Sequence, residues 1–527
     1  MENVYIIADY HKIFGENPPE LSDVLGDDVH PGMLATLSML SWKNRTPEIN
    51  EWVEKNIPLT SAGLVATRES DFSNRTSCMW LWLYLIKNLR KYNFDHEGEK
   101  DQFYEKVIRC LTILNKKEHN KEDTNGYLMN NGYGFYRDNY YWQINRSMRS
   151  FVYEKKMKTY VSSFQKHYNV KLTDYIELHS FLTRQFSHGA SVLASVRPSV
   201  WVIDLDVLAQ ETRLNSEELE RIMMMSSFSI DDFRNQENDF NKEDAWHDFL
   251  RTYPYFRLSE KKYIPINGKL AENLLYNELF HKIKHAAPIP LQFMTDYGLC
   301  FESYISDLIK LACRKSKFIN YKYLPEFKYD SNSKRSSDAY IYFRDEVSNV
   351  DVVIVIEVKA KRIREQARIV NPTEKDIQLS IDKTIRDPLS QALGVTCDII
   401  NKQESKILKK DKVYYFMSVS MDGYTGIFGD YDLSLSPKHH EEIKLGGVYP
   451  VTIEGFECFM RVLMSNYSSP ANIILNDFNE VRGQISFKTH VARISNSKRC
   501  LSEDFDNYIN KSLNMTVNNF AASRKNE

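Results

Sequence analysis

The chain reads as a multidomain α+β protein, a mostly α-helical N-terminal region followed by a layered α/β region with a mixed sheet. Three observations predict this. Over residues 1–290 the apolar residues recur at three- and four-residue spacing, and long β-branched runs are few. HAAPIP (285–290) then breaks the pattern with two prolines. Beyond it the order becomes helix, three strands, helix, strand, built around the apolar run VVIVI. At 527 residues the chain exceeds one ordinary core.

Composition narrows the class. Hydrophobic residues at 42% and aromatics at 13% suffice to build cores, which excludes global disorder. The net charge of -2 means that any nucleic-acid site must be a local basic patch. The start, MENVYIIADYHK, lacks a basic segment followed by a long apolar one, so no signal peptide is expected. MWLWLYLI (79–86) is too short to span a bilayer and reads as a buried helix. Cys78, Cys110, Cys300, Cys313, Cys397, Cys458 and Cys500 are scattered, with no CxxC spacing. That pattern predicts reduced thiols in a cytoplasmic protein, not a zinc ribbon or a disulfide framework. The NRT triplets at Asn44 and Asn74 would accept glycans only in a secreted chain.

Taken in order, GMLATLSMLSW, SCMWLWLYLIKNLRKY and EKVIRCLTILNKK are helices by period. SVWVIDLDVLAQETRLNSEELERIMMM holds a short strand, a helix, a turn and a second helix, which Asn215 or Ser216 caps with glutamates in its first turn. Two short helices about a tight turn are one way to read a DNA groove. Against that, Arg213 sits where such a turn favours glycine, and the second helix opens acidic with Glu217 and Glu218, so an ordinary helical hairpin is the stronger reading. Met223, Met224 and Met225 read as core. LAENLLYNELFHKIK is a long helix. Its His281 and His285 share a face, but with no third ligand nearby an exposed polar face outweighs a zinc site.

After the break, YGLCFESYISDLIKLACRK is a helix with Phe301, Ile305, Leu308 and Ala312 on one side. FINYKYLPEFKY and DAYIYF are strands, RDEVSN a turn, and VDVVIVIEVKAKR a longer strand. A charged loop leads to the helix DPLSQALGVTCDIINK and the strand KVYYFMSVSM. GVYPVTIEGFECFMRVLMSN is a strand feeding a helix that closes the domain, and His439–His440 lies in a loop or helix start before it. The expected divisions are 1–290, 291–465 and a C-terminal extension, 466–527, ending frayed in SRKNE.

The apolar strand ends in Glu357 and Lys359, which project together because strand residues two apart share a face. Glu-x-Lys alone means little, since five other instances occur. Context sharpens it. A hairpin centred between Val347 and Ser348, within RDEVSN, sets Asp338 opposite Glu357. Two carboxylates that close repel unless a positive charge lies between them. A divalent ion meets that need, and Mg²⁺ accepts one or two carboxylates with water and phosphate. Lys359 is then placed to orient water and stabilise developing negative charge, the chemistry of phosphodiester hydrolysis. A solvated hairpin end, its carboxylates paired with Lys359 and Lys361, is the plain alternative.

Asp338 followed by Glu357-Val358-Lys359 at the end of an apolar strand resembles the PD-(D/E)XK nuclease superfamily, the restriction-endonuclease-like fold. The resemblance spans residues 296–421 and implies an α/β core of that fold. It implies Asp338 and Glu357 as ligands of Mg²⁺ or Mn²⁺, the Val358 carbonyl as a further ligand, and Lys359 as the catalytic lysine. It adds Glu302 on the first helix as support for the metal site and Gln391 on the later helix as an active-site glutamine. The departure is Ser337 at the position of the family's proline. A rival reading on Glu326–Lys328 is weakened by Pro325 and has no carboxylate partner preceding it at a suitable point.

Lys334, Arg335, Lys361, Arg362, Arg364 and Arg368 surround the motif and form a basic cluster suited to phosphates, although Glu365, Glu374 and Asp376 mix in the opposite sign. No phosphate-binding glycine loop, serine-hydrolase elbow or dinucleotide fingerprint is present. The expectation is therefore a magnesium-dependent endonuclease acting on nucleic acid, DNA by family frequency, with the helical region supplying specificity or assembly contacts. The arrangement resembles bacterial restriction or anti-phage defence nucleases, some of which cut as homodimers. The alternative from another class keeps the fold without the reaction, as a nucleic-acid-binding or assembly protein.

Overall fold

The computed structural model describes residues 5–6, 9–26, 29–42, 54–55, 58–61, 70–71, 75–89, 100–119, 140–186, 201–236, 245–362, 373–421, 443–481 and 485–513. It is an α+β chain of two compact units, one formed by Met1–Met148, Lys158–Pro288 and Ser512–Glu527, the other by Arg149–Met157 and Ile289–Lys511. The loop holding Arg364 and Arg368, the pair His439–His440, the acceptors Asn44 and Asn74 and the final SRKNE lie outside the described residues.

In the first unit, α1 (Pro31–Trp42), α2 (Arg75–Asn88) and α3 (Lys100–His119) pack on one another. From Pro31 to Leu40 every residue of α1 is buried, as a helix of small and apolar residues on all sides requires. The apolar run in α2 is likewise buried, and among the described residues no helix is long and apolar enough to cross a membrane. Next come α4 (Lys158–Tyr168), α5 (Leu172–Arg184), β1 (Ile203–Asp204), α6 (Leu205–Glu211), α7 (Ser216–Met224), β2 (Ser227–Phe228), β3 (Tyr255–Arg257) and β4 (Lys262–Pro265). The strands form a four-stranded sheet in the order β1-β4-β3-β2. Asn215 caps α7 in a full capping box with Glu218. The α6–α7 turn needs no glycine, because Arg213 is not among the residues with positive φ. Its guanidinium instead bonds Asp174 and Glu177 of α5, tying the turn to that helix. The helix expected from Leu270 to Lys284 is broken. A short helix, Gly268–Asn273, ends in a turn, and α8 (Asn277–Ala286) starts afresh after Tyr276, whose φ is -144.

The second unit opens with α9 (Pro290–Lys315), with Pro290 in its first turn, where a missing N–H costs nothing. A five-stranded mixed sheet follows: β5 (Lys322–Pro325), β6 (Ala339–Asp345), β7 (Val350–Lys359), β8 (Val413–Ser420) and β9 (Lys444–Thr452). Their spatial order is β9-β8-β7-β6-β5. The β5–β6 and β6–β7 pairs are antiparallel; β7, β8 and β9 run parallel. FINYKYLPEFKY is not one strand: Pro325 ends β5, and Lys328–Tyr329 pairs separately with Lys334–Arg335. Central β7 is buried from Val352 to Val358 and is covered by α9 and by α11 (Asp387–Asn401), which continues from α10 (Glu374–Ile381) through a π-helical turn, Asp382–Arg386. A bulge between Tyr414 and Tyr415 passes Gly446, where a Cβ would meet the Tyr415 ring at 2.5 Å.

Strand β9 runs directly into α12 (Ile453–Leu463), capped by the Thr452 hydroxyl on Gly455 N–H. Then α13 (Ala471–Val481) packs on β9, and α14 (Phe487–Ser497) packs on α12 and β9. Residues 466–511 thus belong to the same unit as the sheet, where the sequence suggested a separate extension.

Candidate functional site

The β6–β7 ladder begins at Ala339 opposite Ile356, one step short of Asp338 and Glu357, which therefore face each other at one sheet end. Asp345 locks the other end. It accepts from Val347 N–H at 3.1 Å, the Ser348 hydroxyl at 2.6 Å and Asn472 Nδ2 at 2.8 Å, so the turn falls where the sequence placed it. At the site itself, Val358 N–H donates to Asp338 Oδ2 at 2.6 Å, fixing that carboxylate to the neighbouring strand. Lys359 Nζ lies 2.8 Å from Glu357 Oε1. Glu357 is 2% exposed, and its Oε2 is buried with no hydrogen-bond partner among the described residues. Ser337, just before Asp338, is also buried and donates its N–H to the Tyr340 hydroxyl at 3.0 Å.

Burial and like charge set the electrostatics. Burial, then the charge of Asp338, raises the Glu357 carboxyl to about 7 against the pull of Lys359. The Ser337 hydroxyl opposes the rise weakly, at a geometry too poor for a full hydrogen bond. Glu302, half-buried on α9, is also raised to about 7, by burial first and then by Asp338, with Glu326 and Glu357 adding to it. Asp338 is raised by burial and by Glu326, opposed by the Val358 N–H bond and by Lys359. Burial lowers the Lys359 ammonium, but Glu357, Asp338 and Glu302 together hold it above its ordinary value. Four carboxylates and one lysine therefore share one field.

Glu326 is the member that sequence reasoning set aside. Pro325 counted against its strand, yet β5 is an edge strand, which tolerates a proline. Pairing of Pro325 with Ala339 carries Glu326 beside Asp338, and Glu326 N–H donates to the Asp338 carbonyl at 3.1 Å. Only the long-range pairing of β5 with β6 discloses this.

The other expected residues divide. Lys361 is exposed, and its ammonium is lowered by partial burial first and then by Lys359 and Lys383, which sets it near Lys359. Arg362 is half-buried; Arg364 lies outside the described residues. Lys334 is engaged by Asp398 at 2.9 Å, and Arg335 lies 3.4 Å from Glu326, so both are held in ion pairs. Gln391 is exposed on α11 and its side chain makes no hydrogen bond among the described residues, so nothing ties it to the carboxylates.

The residues fit a hard divalent cation of modest demand. Among the described residues no group of three His, Cys, Asp or Glu side chains gathers as a metal shell. Asp338 and the orphaned Oε2 of Glu357, with the Val358 carbonyl next after Glu357 in sequence, offer the two carboxylates and one carbonyl that Mg²⁺ or Mn²⁺ accepts when water and phosphate complete its shell. Such an ion would also relieve the mutual repulsion of Glu357 and Asp338. Compared with known proteins, the chain matches no protein-family model, no curated protein and no solved structure.

Proposed function

We propose that this chain is a metal-dependent endonuclease with a restriction-endonuclease-like core, hydrolysing phosphodiester bonds of nucleic acid, DNA in preference to RNA. The observation that carries this reading is the buried Glu357 carboxylate, its Oε1 on Lys359 and its Oε2 without a hydrogen-bond partner among the described residues, facing Asp338 at the end of β7. Burying two carboxylates that share a single lysine is costly, and a divalent ion on a phosphate substrate offsets that cost. When bound, the ion supplies a lowered pKa for the attacking water and neutralises charge on phosphate. The chain supplies the rest. Asp338 is oriented by the Val358 N–H. Lys359 is held cationic by three carboxylates and is placed to steady the attacking water and the developing charge. Glu302 supports the cluster from α9.

The test is cleavage of plasmid, single-stranded DNA and RNA with Mg²⁺, Mn²⁺ or EDTA. Asp338→Ala and Lys359→Ala are each expected to lower the metal-dependent rate by about 10²-fold or more. Cutting that persists in both variants removes the assignment. A second reading, a nuclease-fold binding or assembly protein, draws on the ion pairs that occupy Lys359, Lys334 and Arg335 without a substrate. It predicts metal-independent binding and no cutting with any divalent ion.

A further inference from the structure

The packing of α4 on α8 in the helical unit sets His167, near the end of α4, against His285 in the last turn of α8. Their ring centres are 5.2 Å apart at an interplanar angle of 75°, and both side chains are exposed. The Tyr168 hydroxyl lies 3.4 Å from the Lys282 carbonyl oxygen and 3.4 Å from His285 Nδ1. A hydroxyl has one proton to give. Given to the carbonyl, it leaves the Tyr168 oxygen to accept from Nδ1–H, which puts the lone pair of the neutral His285 ring on Nε2. A ring N–H fixed by an outer acceptor is the usual arrangement of a metal-binding histidine. Two imidazoles bound tetrahedrally at about 2.0–2.1 Å per nitrogen place their ring centres about 5 Å apart, the separation found here.

We propose that His167 and His285 form a two-histidine site for a transition-metal ion that favours imidazole, Zn²⁺ first, with Tyr168 as the outer positioning residue and water filling the remaining positions. The ion clips α4 to α8. His281, one turn earlier on α8, does not complete a triad, since no three such ligands gather among the described residues. Lys166 and Lys284, adjacent in sequence to this pair, add positive charge that opposes any cation, so the imidazole donors, which suit Zn²⁺ and not Mg²⁺ or Ca²⁺, must supply both the affinity and the selectivity.

Tag-free full-length protein titrated with zinc chloride at pH 7.5, followed by calorimetry and thermal melting, tests this. Wild type is expected to bind zinc with a rise in Tm. His167→Ala and His285→Ala should each lose one bound ion and the rise, and Tyr168→Phe should bind about tenfold more weakly. Both histidines are exposed, so circular dichroism should show the variants folded. Unchanged stoichiometry and affinity in both histidine variants overturns the proposal, as does the absence of saturable binding by wild type at millimolar zinc.

Discussion

Glu357 is a carboxyl whose proton affinity is raised to about 7 by burial and by Asp338. The sign of its effect on stability follows. In the unfolded chain it ionises near its ordinary value, about 4.3, and in the folded chain only near 7. The folded state therefore binds more protons between those values. Its relative stability falls as pH rises across that window and stays low above it. A Glu357→Gln variant mimics the protonated form. In EDTA it should match wild type in urea midpoint at pH 4.5 and exceed it at pH 8, while losing any metal-dependent cutting. Equal midpoints at both pH values would show that the carboxylate is not strained in the folded state. The same residue shows how much of the site was legible. Its pairing with Asp338 follows from strand alternation and turn position alone. The shift in its titration depends on burial at 2% exposure, which no local pattern encodes.

At the scale of elements, two polar anchors hold the supporting structure in place. Asp345 stands at the hairpin turn opposite the site, where burial raises its carboxyl but bonds from Ser348, Asn472 and the Val347 and Ser348 N–H groups lower it further. Asp345→Ala should cost about 2 kcal/mol at pH 7 through these lost bonds. Because the folded carboxyl titrates below its ordinary value, the difference should shrink as pH falls below about 4 and wild type takes up the proton. Chemical denaturation at the two pH values measures it. In the helical unit, Arg213 bonds Asp174 and Glu177, whose side chains are 10% and 11% exposed. Removing it strands two nearly buried carboxylates, so Arg213→Ala should destabilise by about 3 kcal/mol, and a smaller loss would mean that water already solvates them. The sequence marked Arg213 as an awkward residue for a turn but gave no sign of α5 as its partner. That partner lies far away in the chain, and pairing at such separation leaves no periodic trace.

At the scale of the molecule, the sheet unit extends to Lys511, and α13 and α14 cover β9. A chain ending at residue 465 would expose that strand and remove Asn472 from Asp345. We expect such a truncation to abolish the cooperative thermal transition of the sheet unit, read by calorimetry. A melting profile identical to that of the full chain would mean that 466–511 is dispensable. The two basic residues ahead of β6 carry a lesson of the same scale. Charge composition marked Lys334 and Arg335 for phosphate, whereas the folded chain supplies them with Asp398 and Glu326. Exposed pairs of this kind are worth about 1 kcal/mol or less, so phosphate can compete for both cations.

The sequence by itself determined what depends on neighbours in the chain. The break at Pro288 and Pro290, a cap at Asn215 or Ser216 (Asn215 in the folded chain) and the β6–β7 register are set by short-range geometry and are found in the folded chain, whereas periodicity alone ran past the breaks before Asn277 and at Pro325. Only the tertiary structure decided which charges share a field. Glu302 arrives on α9 and Glu326 on edge strand β5, and both reach Asp338 through packing that sequence spacing does not specify. The physical reason is range. Dihedral preference and periodicity act over a few residues, whereas desolvation and Coulomb interactions depend on distances in space, which exist only once the chain has closed its long-range contacts.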